Sequence, residues 1–335
     1  MSVSTPAIDS LRKQRAAMLS VGSNTALVIV KLAVGLAIGS VAVISEAVHS
    51  AMDLVAALIA FAAVRASGRP ADADHPFGHG KAENISGAIE ALLIFAAAAW
   101  IVREAALKLA HAEALEMAHW GAAVMLLSCV VNIAVSSHLF RVARETDSIA
   151  LEADAWHLRT DVYTSAGVMF ALGAIWVGES LVPGVHFHWF DPVAAIAVAL
   201  LIIRAAWRLT AESVRDLMDA SLPPEEERWI RDYIARLTPT IRGYHRLRTR
   251  KAGGRRFIEF HLLVESDMSV EDAHRICDVM GCDIEERFPF SSVTIHVEPC
   301  NGDCKPNCRS GCLLSREERE ELWPGAGEKG GSGQE

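Results

Sequence analysis

Six stretches of mostly apolar residues constrain this chain more than any other feature. They cover roughly 16–39, 41–64, 83–107, 118–140, 156–178 and 190–208. A bilayer core needs about 20 apolar residues per helix. A backbone that crosses it must satisfy its own hydrogen bonds, which a helix does. The expectation is an all-α six-helix transmembrane bundle. Apolarity falls away after residue 209, so 51% hydrophobic and 22% charged residues describe two unlike parts of a 335-residue chain. A mean hydropathy of +0.24 is too high for an ordinary soluble globule and far from disorder. The net charge of −9 carries no basic excess of the kind nucleic acids attract, so no nucleic-acid partner is expected.

The basic residues orient the runs. Arg12, Lys13 and Arg15 precede the first. Arg65, Arg69 and Lys81 follow the second, Arg141 and Arg144 the fourth, and Arg204, Arg208 and Arg215 close the sixth. Lys and Arg favour the cytoplasmic side, which places both termini in the cytoplasm. The basic start leads into a run too long for the apolar core of a cleavable signal. Lys31, inside the first run, fits only if it snorkels or faces the bundle interior.

The polar residues inside the runs carry the chemistry. The second run holds His49-x-x-x-Asp53 and the fifth His157-x-x-x-Asp161. Residues i and i+4 share a helix face, so each pair offers an imidazole nitrogen and a carboxylate to one point. Two such helices facing each other supply two His and two Asp, a four-ligand set of the kind tetrahedral Zn²⁺ accepts. Burying such groups costs about 2.5–3.5 kcal/mol for a single Asp at the bilayer centre, which argues for function over mutual pairing alone. Glu46 shares the face of His49 and reads equally as pathway or as membrane entrance. Asp72, His75 and His79 add three potential ligands in a loop rich in Pro and Gly, by itself a weak signal.

His49 to Asp53, the loop His-Pro-Phe-Gly-His-Gly-Lys-Ala-Glu at 75–83, and His157 to Asp161 resemble the cation diffusion facilitator family, in particular its bacterial zinc/iron exporters. The resemblance covers about residues 12–300. It implies a proton-coupled exporter of divalent cations working as a homodimer in the lipid bilayer. It implies a transport site at His49, Asp53, His157 and Asp161 and a second site at Asp72, His75 and His79. It also pairs Lys81 with an acidic residue after the sixth helix, Asp219. One departure stands out: His49 occupies a position where those bacterial relatives carry Asp. A second imidazole makes the site softer and less anionic, which favours Zn²⁺ over oxygen-preferring ions.

Beyond residue 210 the pattern changes. Pro223-Pro224-Glu225 opens an amphipathic helix to about Leu237. Residues 244–250 and 255–264 read as strands around Ala252-Gly253-Gly254. Ser269 with Asp272 resembles a capping box for a helix to about Phe288, and 292–298 reads as a last strand. The order αββαβ makes a small α+β domain, which the resemblance identifies as cytoplasmic and metallochaperone-like. Alternation puts Ile258, Phe260, Leu262 and Val264 on one face and His261 on the other, with His296 and Glu298 likewise opposite Val293, Ile295 and Val297. With His245 and His274, these match family positions that hold metal at the dimer interface. Glu298 stands where close relatives carry Asp.

Of seven cysteines, Cys300, Cys304, Cys308 and Cys312 sit in one short tail. Reduced thiols there would ligate Zn²⁺ or Cu(I), or form a plain thiol-rich tail. The domains expected are 1–15 (cytoplasmic N-terminus), 16–209 (membrane bundle), 210–299 (metal-binding α+β domain) and 300–335 (Cys-rich, then disordered, tail). The leading expectation is a Zn²⁺/H⁺ antiporter, multi-pass in a bacterial inner membrane, with Zn²⁺ as cargo and regulator. Export of Fe²⁺, Co²⁺, Ni²⁺ or Cd²⁺, or a membrane metal sensor, stands as the alternative. An intramembrane metalloenzyme is disfavoured, since four protein ligands leave no open metal position and no HExxH motif is present.

Overall fold

The computed structural model describes residues 6–38, 41–110, 119–181, 190–301, 308 and 310–322. The chain forms two compact units, Met1–Met218 and Asp219–Glu335.

Among the described residues, the first unit contains six long helices: α1 (Pro6–Ile38), α2 (Val41–Ser67), α3 (Lys81–Ala110), α4 (His119–Thr146), α5 (Ile149–Leu181) and α6 (Phe190–Leu217). Within the described residues, four of them contain stretches long and apolar enough to cross a membrane: Ile8–Ala37, Ala47–Ser67, Lys81–Leu107 and Leu126–Thr146. At the end where α1 begins, charged side chains tie the helices together: Arg12 bonds Glu145, and Lys13 bonds Glu83. The interior is lined by small side chains. Ala56, Ala57 and Ala60 of α2, Ala91 and Ala98 of α3, Ala153 and Ala155 of α5, and Ala199 and Ala206 of α6 are all fully buried. Small residues let helices approach closely where lipid provides no hydrophobic drive between them. Large apolar side chains such as Leu92, Leu126, Leu200, Leu201 and Trp207 point outward instead, an inside-out pattern that suits hydrocarbon surroundings. Lys31 faces the interior: it is buried, and its Nζ donates to Ser50 Oγ at 2.7 Å.

The second unit is built on α7 (Pro224–Ala235), β1 (Gly243–Ala252), β2 (Arg255–Glu265), α8 (Val270–Arg287) and β3 (Ser291–Cys300). Pro223 caps α7 with Pro224 in its first turn, and Glu225, Glu226 and Glu227 there complement the helix dipole. Ser269 caps α8, its Oγ accepting from the Asp272 N–H at 3.1 Å. The sheet order is β1-β2-β3, with β2 antiparallel to β1 and parallel to β3. The β1–β2 turn is Gly253-Gly254, and Gly253 takes the positive φ (58°) that a tight hairpin requires. Ile258, Phe260, Leu262 and Val264 of β2 pack against Ile230 and Ile234 of α7 and Met280 and Ile284 of α8. Both helices thus cover one face of the sheet, and the other face is left for polar groups. Beyond β3 the chain returns to the free edge of β1. Tyr244 N–H donates to Gly311 O at 2.9 Å, Leu313 N–H donates to Arg242 O at 3.1 Å, and Leu313 joins the apolar core.

Candidate metal centres

The first centre lies between α2 and α5. His49 and Asp53 stand one turn apart on α2, and His157 and Asp161 one turn apart on α5. The contacts run across the helices. His157 Nε2 lies 3.1 Å from Asp53 Oδ1, and His49 Nε2 lies 3.7 Å from Asp161 Oδ1. Each imidazole meets the carboxylate of the other helix. Ligand atoms of His49, Asp53 and Asp161 all fall within 4.8 Å of one another. Asp53 and His157 are buried, with side chains 5% and 12% exposed, whereas the His49 side chain is 57% exposed. The set is therefore closed at one side and open at the other.

Two further carboxylates lie nearby, outside either His-x-x-x-Asp pair. Asp154 precedes His157 by three residues on α5, and Glu90 sits on α3. Both are fully buried, and Ser86 Oγ donates to Glu90 Oε1 at 2.9 Å. Intramembrane acids are rare enough that an acid in an apolar run was the available signal. The Glu46 side chain lies outside the described residues.

The second centre is the α2–α3 loop. Asp72 organises it: Oδ1 accepts from the His75 and Asp74 backbone N–H groups at 2.7 and 3.1 Å. His79 Nε2 lies 3.4 Å from Asp72 Oδ2, and the two imidazole centroids are 4.4 Å apart. Gly78, at φ 82°, turns the chain so that His75 and His79 converge, with its N–H donating to His75 O at 2.9 Å. The Asp72 carboxyl is held below the usual carboxylate range, chiefly by the His75 N–H.

The third centre is the polar face of the sheet. His245, His261 and His296 are register partners, one per strand, forming a row across it. Glu298, two residues beyond His296 and on the same face, closes the group. Its Oε2 accepts from His245 Nε2 at 2.9 Å and its Oε1 from His261 Nδ1 at 2.7 Å, while His296 Nε2 stands 3.6 Å away. These bonds, that of His261 first, hold the Glu298 carboxyl below its ordinary range against the opposing effect of desolvation. His245 reaches the row through a bulge between His245 and Arg248, with Arg246 at φ 52°. His274 stands apart on α8, 3.5 Å from Asp278.

Of the described tail cysteines, Cys300 and Cys312 lie at different strands. Cys300 ends β3 opposite Glu265 of β2, and Cys312 bridges to Gly243 on β1. Cys308 is partly buried, and Cys304 lies outside the described residues. Among the described residues no three cysteines bring their sulfurs together.

Comparison with known proteins assigns residues 17–218 to the cation efflux transmembrane domain and residues 222–300 to the cytoplasmic domain of cation efflux proteins, a dimerisation domain. An uncharacterised transporter, sll1263 of Synechocystis sp., is 36% identical over 283 residues, covering 84% of this chain and 89% of its own. The cation-efflux pump FieF of Klebsiella pneumoniae is 35% identical over 287 residues, covering 85% and 92%. The solved structure of CzrB in its Zn form is 45% identical but covers 25% of this chain and 96% of its own, with a TM-score of 0.24. With both of its units matched in order, the chain belongs to the cation efflux, or cation diffusion facilitator, family: integral-membrane transporters, not enzymes, that export divalent metal cations and carry a C-terminal dimerisation domain.

Proposed function

We propose that this protein is a Zn²⁺/H⁺ antiporter, a homodimer in a bacterial inner membrane with both termini cytoplasmic. The cross-helix pairing of His157 with Asp53 and of His49 with Asp161 carries this reading. Two carboxylates and two neutral imidazoles balance one divalent cation. With metal gone, two protonated imidazoles balance the same two carboxylates through the contacts described. Exchanging one Zn²⁺ for two protons leaves the site's charge unchanged, which limits the electrostatic cost of carrying either load through hydrocarbon. Metal needs deprotonated ligands, so acid at the receiving face releases it, and imidazole titrates in the range where membrane pH gradients act. Asp72, His75 and His79 form a second cation site in this scheme. His245, His261, His296 and Glu298 form a regulatory one, with His274 contributing only if a second subunit brings a ligand to it. The imidazole-rich donor sets favour Zn²⁺ over Mn²⁺.

The test is flux into proteoliposomes of purified protein with Zn²⁺, Cd²⁺, Fe²⁺ and Mn²⁺ under an imposed pH gradient. Zn²⁺ uptake that rises with the gradient and exceeds the other metals is expected. Flux indifferent to the gradient, or a preference for Fe²⁺ or Mn²⁺, overturns the reading.

A further inference from the structure

We propose that Glu83 is the pin that holds shut one mouth of the pathway between α2 and α5. The inference rests on the reading that metal passes between these two helices, which carry His49, Asp53, His157 and Asp161. Glu83 lies in the first turn of α3 and is 1% exposed. Its Oε1 accepts from Ser67 Oγ, the last residue of α2, at 2.7 Å and from Lys13 Nζ of α1 at 2.9 Å. Its Oε2 accepts from Ser148 Oγ, the residue before α5 begins. One carboxylate thus ties the end of α2 to the start of α5, with α1 drawn in by an ion pair. Ser67 and Ser148 are themselves buried.

The neighbouring residues fix Glu83 to a separate helix pair. Asn84 Nδ2 donates to Asp216 Oδ2 of α6 at 3.0 Å, and Lys81 Nζ donates to Leu217 O at 3.3 Å. At Gly87 a Cβ would stand 2.8 Å from Ser213 Oγ, so only glycine allows so close an α3–α6 approach without a shift. The first turns of α3 therefore grip α6 on one side and, through Glu83, α1, α2 and α5 on the other. Opening this end means parting α2 from α5, and that breaks the Ser67 bond, the Ser148 bond or both. Buried charge-assisted bonds of this kind favour the closed mouth. A ligand that binds only the open form then shows an affinity reduced by the open fraction. Removing the pin raises that fraction, so KM at this face falls, while at saturating Zn²⁺ the carrier is already loaded and the maximal rate does not rise on this account.

Full-length Glu83→Ala and Ser148→Ala proteins test this in inverted membrane vesicles, which present the basic end of the bundle outward. Glu83→Ala should lower KM for Zn²⁺ at least threefold without raising the maximal rate, and Ser148→Ala should do so to a smaller degree. Hydrogen–deuterium exchange of the purified, metal-free proteins should be at least tenfold faster at 61–67 and 149–155 than in the parent. Unchanged exchange there, or faster exchange with unchanged or raised KM, overturns the proposal. If Glu83→Ala does not assemble, Ser148→Ala, which removes one hydrogen bond, decides by the same readings. If the parent carries no Zn²⁺, the zinc reading fails separately, and the exchange result alone decides whether the pin exists.

Discussion

A metal site inside a membrane must satisfy hydrocarbon when loaded and when empty. The His–Asp pairs across α2 and α5 suit both states, because each carboxylate keeps an imidazole beside it. Asp53→Ala should therefore abolish Zn²⁺ flux, as should Asp161→Ala. Even outer-shell changes cost about 10–100-fold in metal affinity, and losing a charged ligand should cost at least that. Flux in proteoliposomes, with the elution profile of the purified dimer as the check on folding, measures it; near-parental flux would sink the site. His49→Asp should admit Cd²⁺, since three carboxylates and one imidazole make a more anionic, less directional set. Competition between Zn²⁺ and Cd²⁺ in the same vesicles checks it, and unchanged exclusion of Cd²⁺ would mean that residue 49 does not set selectivity. The i, i+4 spacing was legible in the sequence because helix geometry is fixed by period. That each His meets the Asp of the other helix was not legible, since it depends on how two helices pack. Lys31 was ambiguous for the same reason, and only its bond to Ser50 places it inside.

At the scale of the element, alternation along β2 and β3 separated the histidine face from the core face, but alternation carries no register. The row of His245, His261 and His296 arises from strand pairing and from a bulge with a positive φ at Arg246, which no local pattern signals. Glu298 accepts from two members of that row, His245 and His261, so its charge has a readable consequence. Its carboxyl is held below the usual value, so the stability it contributes is present above the unfolded-state value, about 4.3, and is lost as pH falls through the depressed folded-state value. In the presence of chelator, Glu298→Gln should lower Tm near neutral pH, and the gap to the parent should close in more acidic buffer. A gap independent of pH across that window would mean the carboxylate's charge is not what the imidazoles hold. The docked tail is a second element-scale feature. A Cβ on Gly311 would stand 1.9 Å from Tyr244 O, so Gly311→Ala must push the tail off the β1 edge. A loss of about 1–3 kcal/mol is expected, as for other overpacked contacts, and denaturant unfolding of the C-terminal unit measures it. No run of apolar residues announced this docking, because backbone bonds at Gly311 and Leu313 and a single core side chain make it.

For the whole molecule, the question is whether metal on the histidine-lined sheet face bears on transport. The family's C-terminal domain dimerises, and the histidine row lies on the sheet face that α7 and α8 leave uncovered. Zn²⁺ on that row should favour the paired arrangement of two C-terminal units. A ligand that binds one arrangement stabilises it by about 2.7 kcal/mol at a hundredfold excess over Kd, near a hundredfold shift in the dimer constant. The fragment for the test should span residues 219–322, because Leu313 belongs to the core and the tail covers the β1 edge. Cutting at residue 299 would expose that edge and invite spurious pairing. Cys300→Ser, Cys304→Ser, Cys308→Ser and Cys312→Ser together remove the thiols as competing ligands while keeping the tail in place. Sedimentation and calorimetric titration with Zn²⁺ should then show binding coupled to dimerisation, and His261→Ala should weaken both, since His261 is the middle of the row and bonds Glu298 directly. His274→Ala separates two schemes: an unchanged dimer constant means His274 pairs only with Asp278, and a weakened one means it reaches a metal shared between subunits. If Zn²⁺ neither binds the fragment nor shifts its assembly, the row is an ordinary polar face, and cytosolic metal must act on the bundle directly.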